Sequence, residues 1–516
     1  MQFLINQTIP SPSKGEPDAP IDAVAPAVAW WRAPRIIPRL DEMPRVLEFA
    51  RTKAARLVVV AAFSGLLELS GLEWWWQTGT ILALISLFPA RRHFFLTVAA
   101  LWWVHLRVPF DADLLAPLLT AHSAGRWFSG WPVIVALCYV MAGAYGWTAR
   151  RYRNSPVGRH PVAGLVVILC LLLLAATRMP LKGVAFFMVA ASAMILSKFV
   201  WFFAYSVSGA SSRDGMPFWK QIWMIRPFWG FPTSANVPFG KGASYLRRIE
   251  ATDDAQFAKT QLKGLKLLLW ALVLQVCQSA LKHLMIGSDP LIVHGVVIHG
   301  WIPKYPYALD CNAQGHPVEW SMRWLSIIMQ FVSQIALWTV SGHKIIAVCR
   351  MAGFAAARNT YKPFTATTIA EFYNRIYYYF KELLVDFFFY PTYLRYFKRR
   401  PKLRLFVATL AAAGLGNFIN HFLANSSMIF RLGFWQTLKD FHTYMFYCAV
   451  LGIAIGISQH RSTTHRRQQL SGFPKVRAIA VVFLFYTFLT IFDTTPILQS
   501  RNLGDCFSYF LSLFRP

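Results

Sequence analysis

The chain has 516 residues, is 56% hydrophobic and 16% aromatic, and carries 52 Lys and Arg against 23 Asp and Glu. That apolar share exceeds the roughly 45–50% of soluble domains, and it gathers into runs near the roughly 20 residues that cross a hydrocarbon core, which argues against a soluble globular domain. The net charge of +29 raises the question of nucleic acid, but the charges fall between apolar runs and no RRM, zinc-finger or helix-turn-helix pattern accompanies them, so that class is set aside.

Residues 1–52 open the chain with five prolines by residue 26 and no apolar core of the kind a cleavable signal needs. They read as a cytoplasmic tail, disordered over 1–25 and interfacial over Ala29–Phe49, where Trp30 and Trp31 sit among arginines. Spans are expected over roughly 55–72, 76–90, 94–110, 130–148, 161–178, 183–205, 264–285, 322–342, 403–423, 440–458 and 476–495. Alternating them from a cytoplasmic N-terminus puts the basic stretches 91–92, 150–159, 206–263, 395–404 and 460–467 on one side, as the positive-inside rule requires. The fold class is therefore an all-α polytopic membrane protein of the inner or plasma membrane, with about eleven spans. Its expected parts are the tail (1–52), an N-terminal transmembrane bundle (53–205), a cytoplasmic loop (206–263), a transmembrane core (264–500) and a C-terminal tail (501–516).

Two loops are long. The Pro/Gly/Asn-rich run FWGFPTSANVPFGKG at 228–242 reads as ordered irregular backbone. The outward loop 286–321 holds His294, His299, Asp310, His316 and Glu319 without the tight spacing of a zinc site, so no metal is expected and the loop reads as a cover over an opening. The seven cysteines show no CxxC pattern; Cys311 and Cys506 share the outer side, which allows a disulfide.

Between the eighth and ninth spans lies FYNRIYYYFKELLVDFFFYP, Phe372–Pro391. The stretch 364–394 carries Glu371, Asn374, Arg375, Lys381, Glu382 and Asp386, too many polar groups for one lipid-facing helix. A re-entrant or interfacial helical hairpin lining a polar cavity is the form that bilayer physics allows. Arg375, Glu371 and Asp386 suit internal ion pairs there, or contact with a donor substrate. The next span contains GLGNFINH, Gly414–His421. Gly414, Asn417 and His421 fall at i, i+3 and i+7, on one helical face, with small residues that let a neighbouring helix approach. An intramembrane histidine is a functional-site hypothesis by default, and a neutral imidazole can take a proton from an alcohol, with Asn417 orienting it. Plain hydrogen bonding between helices is the structural alternative, at about 0.6 kcal/mol per bond. His343, in the sequence SGHK at the inner end of a span, reads as interfacial or as lining a donor entry.

These two segments resemble the membrane-bound O-acyltransferase (MBOAT) superfamily, in particular its bacterial branches acting on polysaccharides and teichoic acids. The family's aromatic segment has the form FWxRWHxSxSxWFRDYxYxP and is followed by a helix bearing a histidine. Phe372, Asn374, Arg375, Asp386 and Pro391 fit it without a gap, and Phe387–Phe389 keep its aromatic character. The departures are Tyr377 at the family's first histidine, Ile376 and Leu383 at its tryptophans, Val385 at its second arginine, and Phe422 after His421. The likeness covers residues 340–460 well and the rest only in layout.

The resemblance implies a funnel-shaped helical fold with a tunnel, and transfer of an acyl group, commonly acetyl, from acyl-CoA or an acyl carrier protein thioester to a hydroxyl of a glycan or lipid. It implies His421 as general base and Tyr377 or Asn374 as oxyanion or acceptor contact. Arg375, Asp386 and His343 would line the donor channel. No bound cofactor is implied; partners are membrane lipid, donor, acceptor and envelope-polymer assembly proteins, with no nucleic acid. A transporter or flippase for a lipid-linked or acidic substrate, and an inactive scaffold, are the competing readings. The transporter predicts paired discontinuous helices related by internal symmetry.

Overall fold

The computed structural model describes residues 37–38, 40–106, 112–152, 154–155, 158, 160–210, 221, 223–224, 237–286, 290–293, 296–464, 470–494 and 501–515. The tail 1–36, most of the 228–242 run, His294 and part of the 460–467 stretch lie outside them.

Local sequence chemistry starts and breaks the helices. The Thr52 hydroxyl accepts from Ala55 N–H and opens α1 (Lys53–Leu69). α2 (Trp75–Leu87) ends before Pro89, which has no N–H to continue the ladder, and the chain turns by 119° into the segment Pro89–Trp102 that includes most of α3 (Arg92–Leu106). The two spans expected over 76–90 and 94–110 thus form one sharply bent pair. α4 (Trp131–Arg151), α5 (Pro161–Arg178) and α6 (Gly183–Ala210) follow. Asp253 caps α7 (Asp254–His283) by accepting from Gln256 N–H at 2.8 Å. A small antiparallel hairpin, β1 (Leu291–Val293) with β2 (Val296–Ile298), adds the strand content that an all-α expectation lacks. After it come α8 (Trp320–Met351), α9 (Ile369–Arg375), α10 (Tyr378–Leu384), α11 (Tyr390–Arg395), α12 (Pro401–Thr409), α13 (Asn417–Ala424), α14 (His442–Thr464), α15 (Gly472–Thr490) and α16 (Leu503–Ser512).

Among the described residues six helices are long and apolar enough to cross a membrane, or up to eight if each of two bent pairs is one span, against the eleven expected. The shortfall comes from short elements: α1 has 17 residues and α5 has 18, where a straight crossing takes roughly 20. Burial separates inner from outer helices. The apolar window of α6 is 67% buried and that of α15 only 22%, which makes α6 the helix around which others pack. On α4, Val133, Val140 and Trp147 are exposed, and on α5 so are Val167, Leu171 and Leu174 at i, i+4, i+7. Apolar stripes of that kind are rare on soluble monomers and suit contact with lipid.

One hydrophobic core runs from Val60 to Cys448 and draws on both sides of the 206–263 stretch, so that stretch does not separate two cores. A second core joins α8, α9, α14 and α15 through Phe331, Phe372, Leu451 and Tyr486. The third lies at the Trp320 end of α8, where α16 docks. Tyr509 is fully buried and donates to Arg323 O at 2.8 Å, while the Trp320 and Trp324 indoles donate to Leu513 O at 2.8 and 2.9 Å. Residues expected to form a C-terminal tail therefore include a packed helix. Cys311 and Cys506 are both free thiols, so the disulfide is not formed. Cys506 is instead sealed in this third core beside Tyr305.

Candidate active site

The aromatic segment folds as a run of short helices, because its sequence interrupts itself. Thr368 caps α9 by accepting from Glu371 N–H at 3.1 Å, and the Glu371 carboxylate reaches back to accept from Thr367 N–H, one residue before the cap, at 2.9 Å. α9 stops at Tyr377, which adopts the left-handed region at φ 54°. For a non-glycine residue that conformation costs of order 1 kcal/mol and persists only where neighbours enforce it. Asn359 does so: its carbonyl accepts from Tyr378 N–H at 2.9 Å and its Oδ1 from Tyr379 N–H at 3.4 Å. A five-residue π-helical turn, Val385–Phe389, then joins α10 to α11.

A second π turn, Leu410–Gly416, joins α12 to α13. Such turns interrupt α-helices frequently at functional sites. The two face each other: a Cβ added at Gly416 would lie 2.8 Å from the Phe388 ring, so only glycine permits this approach. On the other side α14 crosses as closely, since a Cβ at Gly452 would lie 3.0 Å from Gly414 N.

This packing decides where the predicted residues go. Gly414, Asn417 and His421 all abut α14: Gly414 meets Gly452, Asn417 Oδ1 accepts from the Tyr444 hydroxyl at 3.4 Å, and the His421 ring lies 5.0 Å from that of Tyr444. Asn417 therefore reaches His421 through Tyr444, in place of the direct contact expected. Among the described residues nothing hydrogen-bonds the His421 ring. Phe380 of α10 sits edge-on to it at 6.1 Å, and Tyr447 stacks on Tyr444 at 5.2 Å. Tyr377 packs on Trp338 of α8 at 4.8 Å and shares this interior with Tyr447 and Asp493. His421, Tyr377, Tyr447 and Asp493 are deep among protein atoms, yet each side chain is only half-buried.

The remaining predicted residues lie elsewhere. Asn374 is on the exposed face of α9. Arg375 donates to Glu371 Oε1 at 2.7 Å and to Lys362 O at 2.9 Å, which ties α9 to the loop before it. Asp386 accepts from the Tyr205 hydroxyl of α6 at 2.7 Å, beside a Lys241–Glu382 ion pair of 2.6 Å. His343 is buried on α8, about 7.5 Å further along the axis than Trp338 at 1.5 Å per residue, and among the described residues its Nδ1 has no hydrogen-bond partner. Among the described residues no group of three His, Cys, Asp or Glu is placed to hold a metal.

Sequence reasoning passed over Tyr444, Tyr447, Gln334, Trp338 and Asp493. Tyr444 and Tyr447 at i, i+3, and Gln334 and Trp338 at i, i+4, were visible as polar-tipped residues on one face of an apolar helix. Asp493, a carboxylate inside an expected span, carried the same signal as His421. No protein-family model matches this chain, and no curated protein is a significant match.

Proposed function

We propose that the chain is an integral membrane O-acyltransferase of MBOAT type, passing an acyl group, with acetyl the first choice, from a cytosolic thioester to a hydroxyl of a cell-envelope glycan or lipid. The reading takes the N-terminus as cytoplasmic and the donor as acyl-CoA or an acyl carrier protein. One observation carries it: the His421 imidazole, half-buried and without a hydrogen-bond partner among the described residues, is held between the Phe380 and Tyr444 rings just after a π turn.

In this reading His421 takes the acceptor's hydroxyl proton as the oxygen attacks the thioester carbon. The Tyr377 hydroxyl donates to the oxyanion that develops. The C–O bond forms, the C–S bond breaks, and the departing thiolate receives the proton from the imidazolium. Tyr444 and Phe380 fix the ring's orientation, with Asn417 holding Tyr444. Arg375 and Asp386 act through the hairpin's shape.

General-base catalysis contributes about 10²–10⁴-fold. Purified protein supplied with radiolabelled acetyl-CoA and candidate glycans should release CoA in an acceptor-dependent way, and His421→Ala should lower the rate by at least about 10²-fold. Equal rates from both proteins would remove His421 from the mechanism. The two bent helix pairs, of 119° and 56°, are the feature a transporter reading would use. Substrate uptake into vesicles without CoA release would favour it.

A further inference from the structure

Asp493 is a carboxylate that the mechanism above leaves unused. It follows α15 and sits deep in the molecule, where Gln334 Nε2 of α8 donates to its Oδ2 at 3.1 Å. Among the described residues no cation pairs with it and its Oδ1 has no hydrogen-bond partner. The Tyr377 and Tyr447 hydroxyls, which share its surroundings, are also without partners. Tyr377, Tyr444 and Tyr447 lie near enough to feel its charge; Tyr377 packs on Trp338, one helical turn from Gln334, and Tyr444 stacks on Tyr447.

A charge held deep among protein atoms is costly unless something neutralises it, even where its side chain is only half-buried. A neutral polyol would supply hydrogen bonds and leave the charge uncompensated. A cation would pair with the carboxylate, and the neighbouring tyrosine rings would add attraction for an ammonium group. We infer that Asp493, Gln334, Tyr377 and Tyr447 form a subsite for the primary ammonium group of an amino alcohol or amino sugar. The stacked Tyr444 and Tyr447 rings separate this subsite from His421. An acceptor anchored there by its ammonium presents a hydroxyl to the imidazole, a role that rests on the acyltransferase reading; the ammonium binding itself does not.

Isothermal titration of the purified full chain in detergent with glucosamine and with N-acetylglucosamine, its uncharged counterpart, tests the subsite. Glucosamine should bind at least tenfold more tightly to the wild type. Asp493→Asn keeps volume and a partner for Gln334, and should bring the two sugars to equal affinity; the wild-type comparison stands even if that variant fails to fold. His421→Ala should keep the tenfold preference, so loss of turnover without loss of preference separates the two proposals. Equal binding of both sugars by the wild type, or a preference that survives in Asp493→Asn, would overturn the subsite.

Discussion

Arg375 shows how one side chain can be read from sequence as a donor contact or as an internal ion pair, and how its partners in space favour the second. It matches the family's pattern, yet its guanidinium bonds Glu371 and two groups of the preceding loop, Lys362 O and Thr365 Oγ1. The pair is partly exposed, so charge contributes modestly and the hydrogen bonds to the loop carry most of the effect. Arg375→Ala should cost about 1–2 kcal/mol, seen as a lower melting temperature in detergent, with the KM for the acyl donor unchanged. A raised donor KM at full stability would mean that the side chain touches the donor. The Glu371 partner was legible in the sequence; the loop groups Lys362 O and Thr365 Oγ1 were not. Asn417 and His421 were readable because polar groups stand out in an apolar run, whereas the Tyr444 hydroxyl between them belongs to a helix more than 20 positions away. Spacing within one segment carries no information about which distant segment will face it.

Elements were predicted best where periodicity was long. The segments of α6, α7, α8 and α15 follow from apolar runs alone, and the broken character of 364–394 follows from its polar load. The π turns did not follow, because one extra residue in a helical turn leaves the composition untouched. Their stability rests on glycine contacts, which makes them testable. Gly452→Ala pushes a methyl against Gly414 and Leu410, and should destabilise by about 1–3 kcal/mol with a fall in any His421-dependent activity. Gly65→Ala, in α1 with open space around it, should instead stabilise by about 0.5–1 kcal/mol. Thermal unfolding of the two variants in the same detergent compares the outcomes directly, and similar shifts in both would sink the argument for close packing.

At the scale of the molecule, the bent α2–α3 pair is tied to the far end of α8 through a polar junction. Arg92 donates to Gly353 O at 3.2 Å and to Ala251 O at 2.8 Å, and lies 3.2 Å from Glu250, whose Oε1 is also 3.3 Å from His93 Nε2. Burial alone would raise the Glu250 carboxyl, but the contacts with His93, Arg92 and Arg247 outweigh it and hold the group below the ordinary glutamate range. A carboxyl held low in the folded state binds fewer protons there than when unfolded. Its stabilisation is present above the unfolded value, about 4.3, and fades as pH falls through the folded one. Melting temperature should therefore decline from pH 6 to pH 3, and Glu250→Gln should flatten that decline while lowering the plateau at pH 6. An unchanged slope in the variant would show that other carboxyls govern acid unfolding. The core running from Val60 to Cys448 means that loosening this junction is felt across the bundle.

The seven-residue π turn before His421 has an evolutionary corollary. Deleting a single codon within 410–416 would remove the residue that the wide turn absorbs and let the backbone relax into an unbroken α-helix, with later side chains keeping nearly their present facing. Lineages that share this architecture can thus gain or lose the widened turn and its close glycine approaches through one small indel, with hydropathy, length and the facing of the imidazole left almost as they were.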